Sequence, residues 1–154
     1  NVLEVGTFSG YSALSMAEGL EDGGHLYTFE INDEQEDFTR PWIEQSPWAD
    51  RITFLIGDAI TEAPRLGVSF DLAFIDGDKR TYRETYEMAL SVVRKGGFIL
   101  ADNTLWDGHV VDPSYGKDQQ TQGIVSFNDY VRQDSRVERV ILPLRDGLTL
   151  IRKL

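Results

Sequence analysis

Short apolar stretches alternate along this chain with longer segments in which apolar residues recur every three or four positions. The short stretches are typical of buried strands, and the longer segments are typical of helices that pack on a sheet. This alternation predicts a single α/β domain with a Rossmann-like, doubly wound and mostly parallel sheet. The predicted strands are 1–5, 25–30, 51–56, 70–75 and 98–101, and the helices between them are 12–20, 32–46, 59–66 and 81–94.

One of these predicted helices contains a proline. Asn32 or Asp33 can cap the start of this helix through a side-chain oxygen. Because Pro41 has no N–H to donate and its ring clashes with the preceding turn, we expect a kink or break near Phe38.

The last third of the chain adds a long loop, a helix and a hairpin to this pattern. Residues 104–117 are loop-like, and long loops at the carboxyl edge of such a sheet usually line a site. A helix is predicted over 119–133, followed by strands over 137–142 and 148–151. The Asp146-Gly147 pair favours a hairpin between these strands, so we expect the sheet to finish with an antiparallel strand.

The first strand runs into a turn bracketed by glycines, Gly6 and Gly10, and then into a helix. Glycine permits positive φ and close approach of a ligand, and a helix N-terminus offers free N–H groups. The turn is not the dinucleotide pattern G-x-G-x-x-G, because Phe8 stands where the second glycine should be. Glu4 adds negative charge that disfavours a diphosphate. The turn therefore favours a nucleoside ligand without phosphates over an ordinary strand–helix connection.

Two further acids end strands at the same edge of the predicted sheet. Glu30 lies about 20 residues past the glycine turn, where Rossmann-type folds place a carboxylate that accepts both ribose hydroxyls. The alternative is a solvated glutamate at a strand end. Asp58 can accept an adenine amino hydrogen or cap the helix that begins at Ala59, and the sequence does not separate these two roles.

A third group of polar residues follows two neighbouring buried strands. Asp76 ends one strand, and Asp102 and Asn103 end the next, so their side chains can converge across adjacent strands about 4.8 Å apart. Two carboxylates and a carboxamide are hard oxygen ligands that suit Mg²⁺ or Ca²⁺. Neither His25 nor His109 lies in this cluster, which argues against zinc. The alternative is that each acid caps the segment that follows it.

Lys79 lies three residues after Asp76, at the start of the following helix. It can point back into the same crevice. An ammonium beside a divalent cation is disfavoured in its charged form, which favours a role as a general base. The alternative is a solvated lysine at a helix start.

Composition narrows the class of protein. The net charge of −11 disfavours nucleic acid and anionic membranes as partners, and no apolar run approaches the length of a membrane span. The absence of cysteine excludes disulfides and thiolate metal sites and fits a cytoplasmic protein. The chain begins inside its first predicted strand, so we expect further sequence before it.

Five motifs in this order closely resemble the cation-dependent class I O-methyltransferases, which include catechol and caffeoyl-CoA O-methyltransferases. The resemblance covers essentially the whole chain and implies the class I methyltransferase fold. The motifs are Glu4–Ser12, Phe29–Asn32, Gly57–Ala59, Phe74–Lys79 and Asp102–Trp106.

The resemblance implies a cofactor, a metal and a base. S-adenosylmethionine would be the methyl donor and S-adenosylhomocysteine the product. Asp76, Asp102 and Asn103 match the ligands of Mg²⁺, or of Ca²⁺ or Mn²⁺, and Lys79 with Asp76 matches the catalytic pair. The residues that match cofactor-binding positions are Glu4, Gly6, Thr7, Phe8, Ser12, Glu30, Asp58, Ala59 and Asp76.

The substrate implied by the resemblance is a small hydroxylated aromatic with vicinal oxygens. Trp106 could pack on such a flat substrate or could belong to the core. Gly77 stands where some relatives carry a bulkier residue, which would open that side of the nucleoside pocket. Relatives also carry a helical segment before the first motif, which this sequence lacks, and they are commonly homodimers.

Other functions stay open at this point. Some relatives methylate hydroxylated uridine in transfer RNA, although the acidic balance makes RNA less attractive. A nicotinamide-dependent oxidoreductase is disfavoured by the spacing of the glycine turn and by the carboxylate cluster. A non-catalytic nucleoside-binding domain is the remaining alternative.

Overall fold

The computed structural model describes residues 1–154, in which seven strands alternate with five α-helices. The elements in chain order are β1 (Val2–Val5), α1 (Tyr11–Glu18), β2 (Leu26–Glu30), α2 (Glu36–Glu44), β3 (Ile52–Ile56), α3 (Ala59–Glu62), β4 (Phe70–Ile75), α4 (Tyr82–Val92), β5 (Val93–Ala101), α5 (Gln119–Gln133), β6 (Val137–Leu142) and β7 (Leu148–Lys153). None of the helices is both long and apolar enough to cross a membrane.

The strands form one sheet in the order β3-β2-β1-β4-β5-β7-β6. Strands β1 to β5 pair in parallel, and β7 lies antiparallel between β5 and β6. The predicted doubly wound sheet with a C-terminal antiparallel hairpin is therefore confirmed.

The register brings the ends of four strands to one level. Val5 lies opposite Phe29 on β2 and Ile75 on β4, and Ile75 lies opposite Ala101 on β5. Because parallel strands end at the same edge, the residues that follow these positions lie side by side there. This edge carries the acids singled out in the sequence.

The larger part of the core lies on the face of the sheet covered by α3, α4 and α5. Tyr82 and Tyr86 on α4 have no exposed surface, and both rings pack edge-on against Phe127 of α5. Burial of one such ring stabilises the fold by about 2 kcal/mol relative to its exposure. A smaller cluster lies beneath α1 and α2. The helix α4 is thus anchored firmly below the carboxyl edge.

The break predicted near Phe38 is wrong. Helix α2 continues through Pro41, and the irregularity lies earlier, in a 3₁₀ turn at Asp33–Gln35 capped by the Asn32 side chain. The carbonyl group that loses a partner to proline belongs to Asp37, which is exposed and lies in the first turn. Water can satisfy that carbonyl, so the helix does not need to break.

Strand β5 starts earlier than predicted, directly where α4 ends. Val93 pairs with Phe70, and the register shifts before regular pairing resumes. Gly96 has φ +77°, and a Cβ on Gly97 would lie 2.8 Å from the Asp71 carbonyl oxygen. The glycines therefore form an irregular, tightly packed stretch of strand and do not terminate the helix, whose last residue is Val92.

The segment after β5 is held by the hairpin between β6 and β7. The N–H groups of Thr104 and Leu105 donate to the carbonyl oxygens of Gly147 and Asp146, at 3.0 and 2.9 Å. This predicted loop contains two 3₁₀ stretches, Trp106–Val111 and Pro113–Tyr115. The C-terminal hairpin thereby fixes the chain that leaves the site.

Candidate active site

A cavity of about 410 Å³ lies at the carboxyl edge of the sheet, between the ends of β1, β2, β3 and β4. Six of the predicted cofactor-binding residues line it. Glu4, Thr7 and Ser12 do not line it. The six that do are Gly6, Phe8, Glu30, Asp58, Ala59 and Asp76.

The turn after β1 needs glycine at Gly6. Its φ is +101°, and a Cβ there would lie 2.6 Å from the carbonyl oxygen of Asp76. Phe8 also adopts positive φ, at 45°, and its side chain is exposed at the cavity. Residues in such conformations cluster at ligand sites because the surrounding structure must hold them in place.

Glu30 supplies part of that support. Its Oε2 accepts from the Phe8 N–H and its Oε1 from the Asn32 N–H, both at 2.9 Å. The side chain is buried and is not the solvated glutamate of the alternative reading. Each carboxylate oxygen keeps lone-pair capacity for a further donor. Glu30 therefore fixes the glycine turn and still faces the cavity.

Glu4 lies completely buried beneath the turn. Its Oε2 accepts from Thr28 Oγ1, and that hydroxyl lies 2.6 Å from the hydroxyl of Thr7. Its Oε1 has no hydrogen-bond partner, although it is buried. Burial raises the pKa of Glu4 to about 7, against the opposing effects of the nearby Ser12 hydroxyl and of the hydrogen bond from Thr28. An unpaired carboxylate oxygen here favours a donor or a cation as neighbour.

Asp58 does cap α3, because its Oδ1 accepts from the Ile60 N–H at 2.9 Å. Asp58 and Ala59 both line the cavity as well. Gly77 lines it opposite Val5, whose Cγ1 would lie 3.4 Å from a Cβ on Gly77. The absence of a side chain at Gly77 therefore leaves this wall open.

The two acids at the ends of β4 and β5 lie in adjacent positions. The Asp102 N–H donates to the Ile75 carbonyl at 3.0 Å, and Asp102 Oδ1 accepts from the Asn103 N–H at 2.8 Å. Burial, together with repulsion by Asp76, raises the pKa of Asp102. Asn103 has φ 57°, a left-handed conformation that asparagine tolerates better than most residues.

No group of three or more His, Cys, Asp or Glu side chains in this structure could hold a metal ion. The predicted donor set is of another kind, since it combines two carboxylates with a carboxamide. These oxygens fit a hard divalent cation, which would relieve the repulsion between Asp76 and Asp102.

Lys79 is buried, with 6% of its surface exposed, and is not the solvated lysine of the alternative reading. Its Nζ donates to Asp76 Oδ1 at 2.9 Å and to the hydroxyl of Tyr82 at 2.7 Å. Asp76 also lines the cavity. One carboxylate therefore joins Lys79 to the predicted nucleoside site.

Three residues that support Lys79 were not predicted from the sequence. Besides Tyr82, the Gln120 side chain accepts from the Lys79 N–H at 3.1 Å. A Cβ on Gly123 would lie 2.1 Å from the Lys79 carbonyl oxygen, so glycine lets α5 pack on this turn. A lone glycine inside an amphipathic helix and a tyrosine three residues after the lysine were the available signals.

Trp106 does not line the cavity. It is half-buried and packs against the larger core cluster. Its backbone, like that of Asp107, has positive φ. The core contact of Trp106 is therefore observed, and its packing on a flat substrate stays a prediction.

Comparison with known proteins places this arrangement among methyltransferases. A family model described as O-methyltransferase matches residues 1–154. The chain is 38% identical over 165 residues to tricin synthase 2 of Oryza sativa subsp. japonica and spans 56% of that protein. It is 35% identical over 169 residues to caffeoyl-CoA O-methyltransferase 1 of Eucalyptus globulus and spans 67% of it. Both alignments cover 100% of this chain.

A solved structure shows the same fold. The O-methyltransferase from Bacillus cereus, determined in complex with SAH, is 31% identical with a TM-score of 0.91. The match covers 100% of this chain and 74% of the Bacillus chain.

Proposed function

This chain belongs to the O-methyltransferase family, and we propose that it transfers a methyl group from S-adenosylmethionine to a hydroxyl of a small aromatic with vicinal oxygens. One observation carries the proposal. The carboxylate of Asp76 lines the cavity and also accepts from Lys79 Nζ at 2.9 Å, so a buried base adjoins a nucleoside-sized cavity. The names of the Eucalyptus and Bacillus relatives support the donor and the class of acceptor.

The cofactor would lie along the ends of β1 to β4. Glu30 would accept the ribose hydroxyls, and Asp58 and Ala59 would border the adenine. The methionine end would lie at Gly6 and Phe8, above Glu4. Support comes from the unpaired, buried Oε1 of Glu4, because the ammonium of the cofactor is a cation that such an oxygen favours.

Lys79 would act as the general base. Its neutral amine takes the proton of the acceptor hydroxyl, so the O–H bond breaks and an N–H bond forms. The oxygen then attacks the sulfonium methyl carbon, and the carbon–sulfur bond breaks with its electron pair moving to sulfur. S-adenosylhomocysteine leaves, and Lys79 returns its proton to water. The chain contributes mainly by holding oxygen, carbon and sulfur close and in line.

Asp76, Asp102 and Asn103 would hold Mg²⁺, or Ca²⁺ or Mn²⁺ in its place. A divalent cation there supplies positive charge that makes a neighbouring acceptor hydroxyl more acidic. Burial, and to a lesser extent the nearby Asp76 carboxylate, raises the pKa of Asp102, which supports this assignment because a cation would favour the charged form that both disfavour.

The remaining features of the proposal concern partners and organisation. A net charge of −11 favours a small-molecule acceptor over nucleic acid. We also propose that the protein is a cytoplasmic homodimer and that each subunit contains one methyltransferase domain.

The test is methyl transfer from S-adenosylmethionine, followed as a mass increase of the acceptor. The acceptors are a catechol, a caffeoyl thioester and an RNA containing hydroxyuridine, each with Mg²⁺ and with EDTA. We expect product from the small aromatics only when metal is present. Product in EDTA would exclude the metal role of Asp76, Asp102 and Asn103. Product only from RNA would show that the acceptor is RNA and not a small aromatic.

Binding of S-adenosylhomocysteine and NAD by calorimetry completes the test. We expect S-adenosylhomocysteine to bind more tightly. Tighter binding of NAD would favour the oxidoreductase reading, and tight S-adenosylhomocysteine binding without turnover of any acceptor would favour a non-catalytic domain.

A further inference from the structure

Tyr82 lies buried beside Lys79, and its hydroxyl joins three groups. The hydroxyl oxygen lies 2.7 Å from Lys79 Nζ. It lies 3.0 Å from the carbonyl oxygen of Ile75 and 2.8 Å from that of Asp102. A single phenol thus contacts the proposed base and the carboxyl ends of β4 and β5.

The direction of each hydrogen bond follows from the groups involved. A hydroxyl has one proton to donate, and a carbonyl oxygen can only accept. The Tyr82 proton is therefore shared by the Ile75 and Asp102 carbonyls, and the phenol oxygen accepts from Lys79. A tyrosine hydroxyl has an ordinary pKa of about 10, so it keeps its proton near neutral pH.

Lys79 Nζ consequently has two fixed acceptors, Asp76 Oδ1 at 2.9 Å and Tyr82 Oη at 2.7 Å. The nitrogen is tetrahedral, so the two acceptors and the bond to its own side chain take three of its four positions. One position remains. A neutral amine that donates to both acceptors holds its lone pair at that position, which is where an incoming proton must arrive.

We propose that Tyr82 is a positioning residue that sets the direction in which Lys79 receives the proton of the methyl acceptor. The inference rests on the proposed role of Lys79 as the base. It extends that role to a residue that touches neither the proposed substrate nor the cofactor. Without the hydroxyl, Nζ would keep one acceptor and could rotate about it.

The competing explanation is that Tyr82 only braces β4 against β5. Helix α4 offers a matched control one turn later, because Tyr86 is equally buried and donates its hydroxyl to Asp134 Oδ2 at 2.9 Å. The rings of Tyr82 and Tyr86 lie 5.4 and 5.9 Å from the ring of Phe127. Replacement of either tyrosine by phenylalanine removes one buried hydroxyl and keeps the ring.

The first experiment compares Tyr82→Phe with Tyr86→Phe by steady-state kinetics, on the small aromatic acceptor that gives product. We expect Tyr82→Phe to lower kcat by about tenfold to a hundredfold, the factor for one hydrogen bond to a charged group, because Lys79 becomes positively charged as it takes the proton. The acceptor KM and the Kd of S-adenosylhomocysteine should change by less than about twofold. Tyr86→Phe should leave kcat within about twofold. Equal kcat values for the two variants would overturn the inference.

The second experiment is a double-mutant cycle with Lys79→Met. If Tyr82 acts through Lys79, adding Tyr82→Phe to Lys79→Met should change the residual kcat by less than about twofold. A further loss as large as that in the wild-type background would overturn the inference while leaving Lys79 as the base. An undiminished kcat in Lys79→Met would overturn the proposed base and this inference together.

A third variant covers poor folding of Tyr82→Phe. Incorporation of 3-fluorotyrosine at position 82 keeps the ring, the hydroxyl and its donor bonds, but makes the oxygen a weaker acceptor. We expect kcat to fall by about twofold to fivefold, within the range of a weakened hydrogen bond. The same replacement at position 86 should have no effect on kcat. An unchanged kcat for the position 82 variant would overturn the inference.

Discussion

Two pairs of acids end neighbouring strands of one sheet, yet their surroundings differ. Glu4 and Glu30, at the ends of β1 and β2, are buried, with 0% and 8% of their surface exposed. Their oxygens accept from Thr28 and from the backbone of the glycine turn. At β4, the side chain of Asp76 remains 38% exposed. The first pair is built into the turn, whereas the second is open to a ligand.

The difference shows how the same residue type can serve two purposes at one edge. An acid that accepts backbone N–H groups, as Glu30 does, fixes the conformation of a loop. The acids at the ends of β4 and β5 each accept one donor, Asp102 Oδ1 from the Asn103 N–H and Asp76 Oδ1 from Lys79 Nζ. The second oxygen of each acid therefore stays available for a cation. We expect substitutions at β4 and β5 to affect turnover, and substitutions at β1 and β2 to affect cofactor binding and stability.

The largest effect should follow loss of the proposed base, Lys79, beside the acids at the ends of β4 and β5. Replacement of Lys79 by methionine keeps the buried chain length and removes the amine. We expect kcat to fall by about a thousandfold, in the range for loss of general-base catalysis, with S-adenosylhomocysteine affinity changed by less than about twofold. Lys95→Met, at an exposed lysine near the start of β5 and away from its carboxyl end, is the control. Turnover above about a tenth of wild type would remove Lys79 from the mechanism.

The next effect concerns the proposed metal ligands. Asp102→Asn retains an oxygen that can accept from the Asn103 N–H but loses the negative charge. We expect Mg²⁺ binding by calorimetry to become undetectable and kcat to fall by about a few hundredfold. Asp112→Asn, at an exposed acid of the same loop, should behave as wild type. If Asp102→Asn were as active as wild type and also active in EDTA, the acids at β4 and β5 would not bind a catalytic metal, and their proposed difference from Glu4 and Glu30 would be wrong.

The sequence predicted the sheet well because its strands are strongly apolar and end in glycine or acid. Strand β4 and helix α5 begin and end where predicted, since continuous burial and a regular apolar face leave few alternatives. Strand β5 was shortened in the prediction because Gly96 and Gly97 look like a terminator. Only tertiary packing against Asp71 shows that they continue the strand.

The site was predictable where residues follow strand ends and less so where helices support it. Asp76 and Asp102 follow paired residues, so the sheet register alone places them together. Gln120 and Gly123 lie about 40 residues after Lys79, and their contact depends on how α5 crosses the turn. Sequence spacing carries no information about that crossing. The packing of Trp106 on the core is likewise a tertiary contact that sequence spacing does not show.

A smaller effect tests the buried pair, Glu4 and Glu30, through the pH dependence of stability. Because the folded pKa of Glu4 is raised to about 7, the folded protein holds a proton that the unfolded chain releases near pH 4.5. Its contribution to stability is present below pH 4.5 and is lost as the pH rises through about 7, a change of about 3 kcal/mol. Glu4→Gln should flatten this part of the stability curve, measured by denaturant unfolding between pH 4.5 and 8. Glu44→Gln, at an exposed helix end, should keep the wild-type slope, and an unchanged slope in Glu4→Gln would refute the assignment.

The smallest expected effect tests whether the buried pair, Glu4 and Glu30, also binds S-adenosylhomocysteine. Glu30→Gln keeps one acceptor oxygen but sets an amide donor against the N–H of Phe8 or Asn32. We expect calorimetry to show an affinity for S-adenosylhomocysteine about tenfold lower, since one charged acceptor for the ribose and one for the turn are weakened. Glu62→Gln on α3 is the control. If the unliganded variant has a lower Tm but binds S-adenosylhomocysteine as tightly as wild type, then Glu30 only holds the turn. The β2 acid would then have a structural role, in contrast to the catalytic role proposed for the β4 and β5 acids.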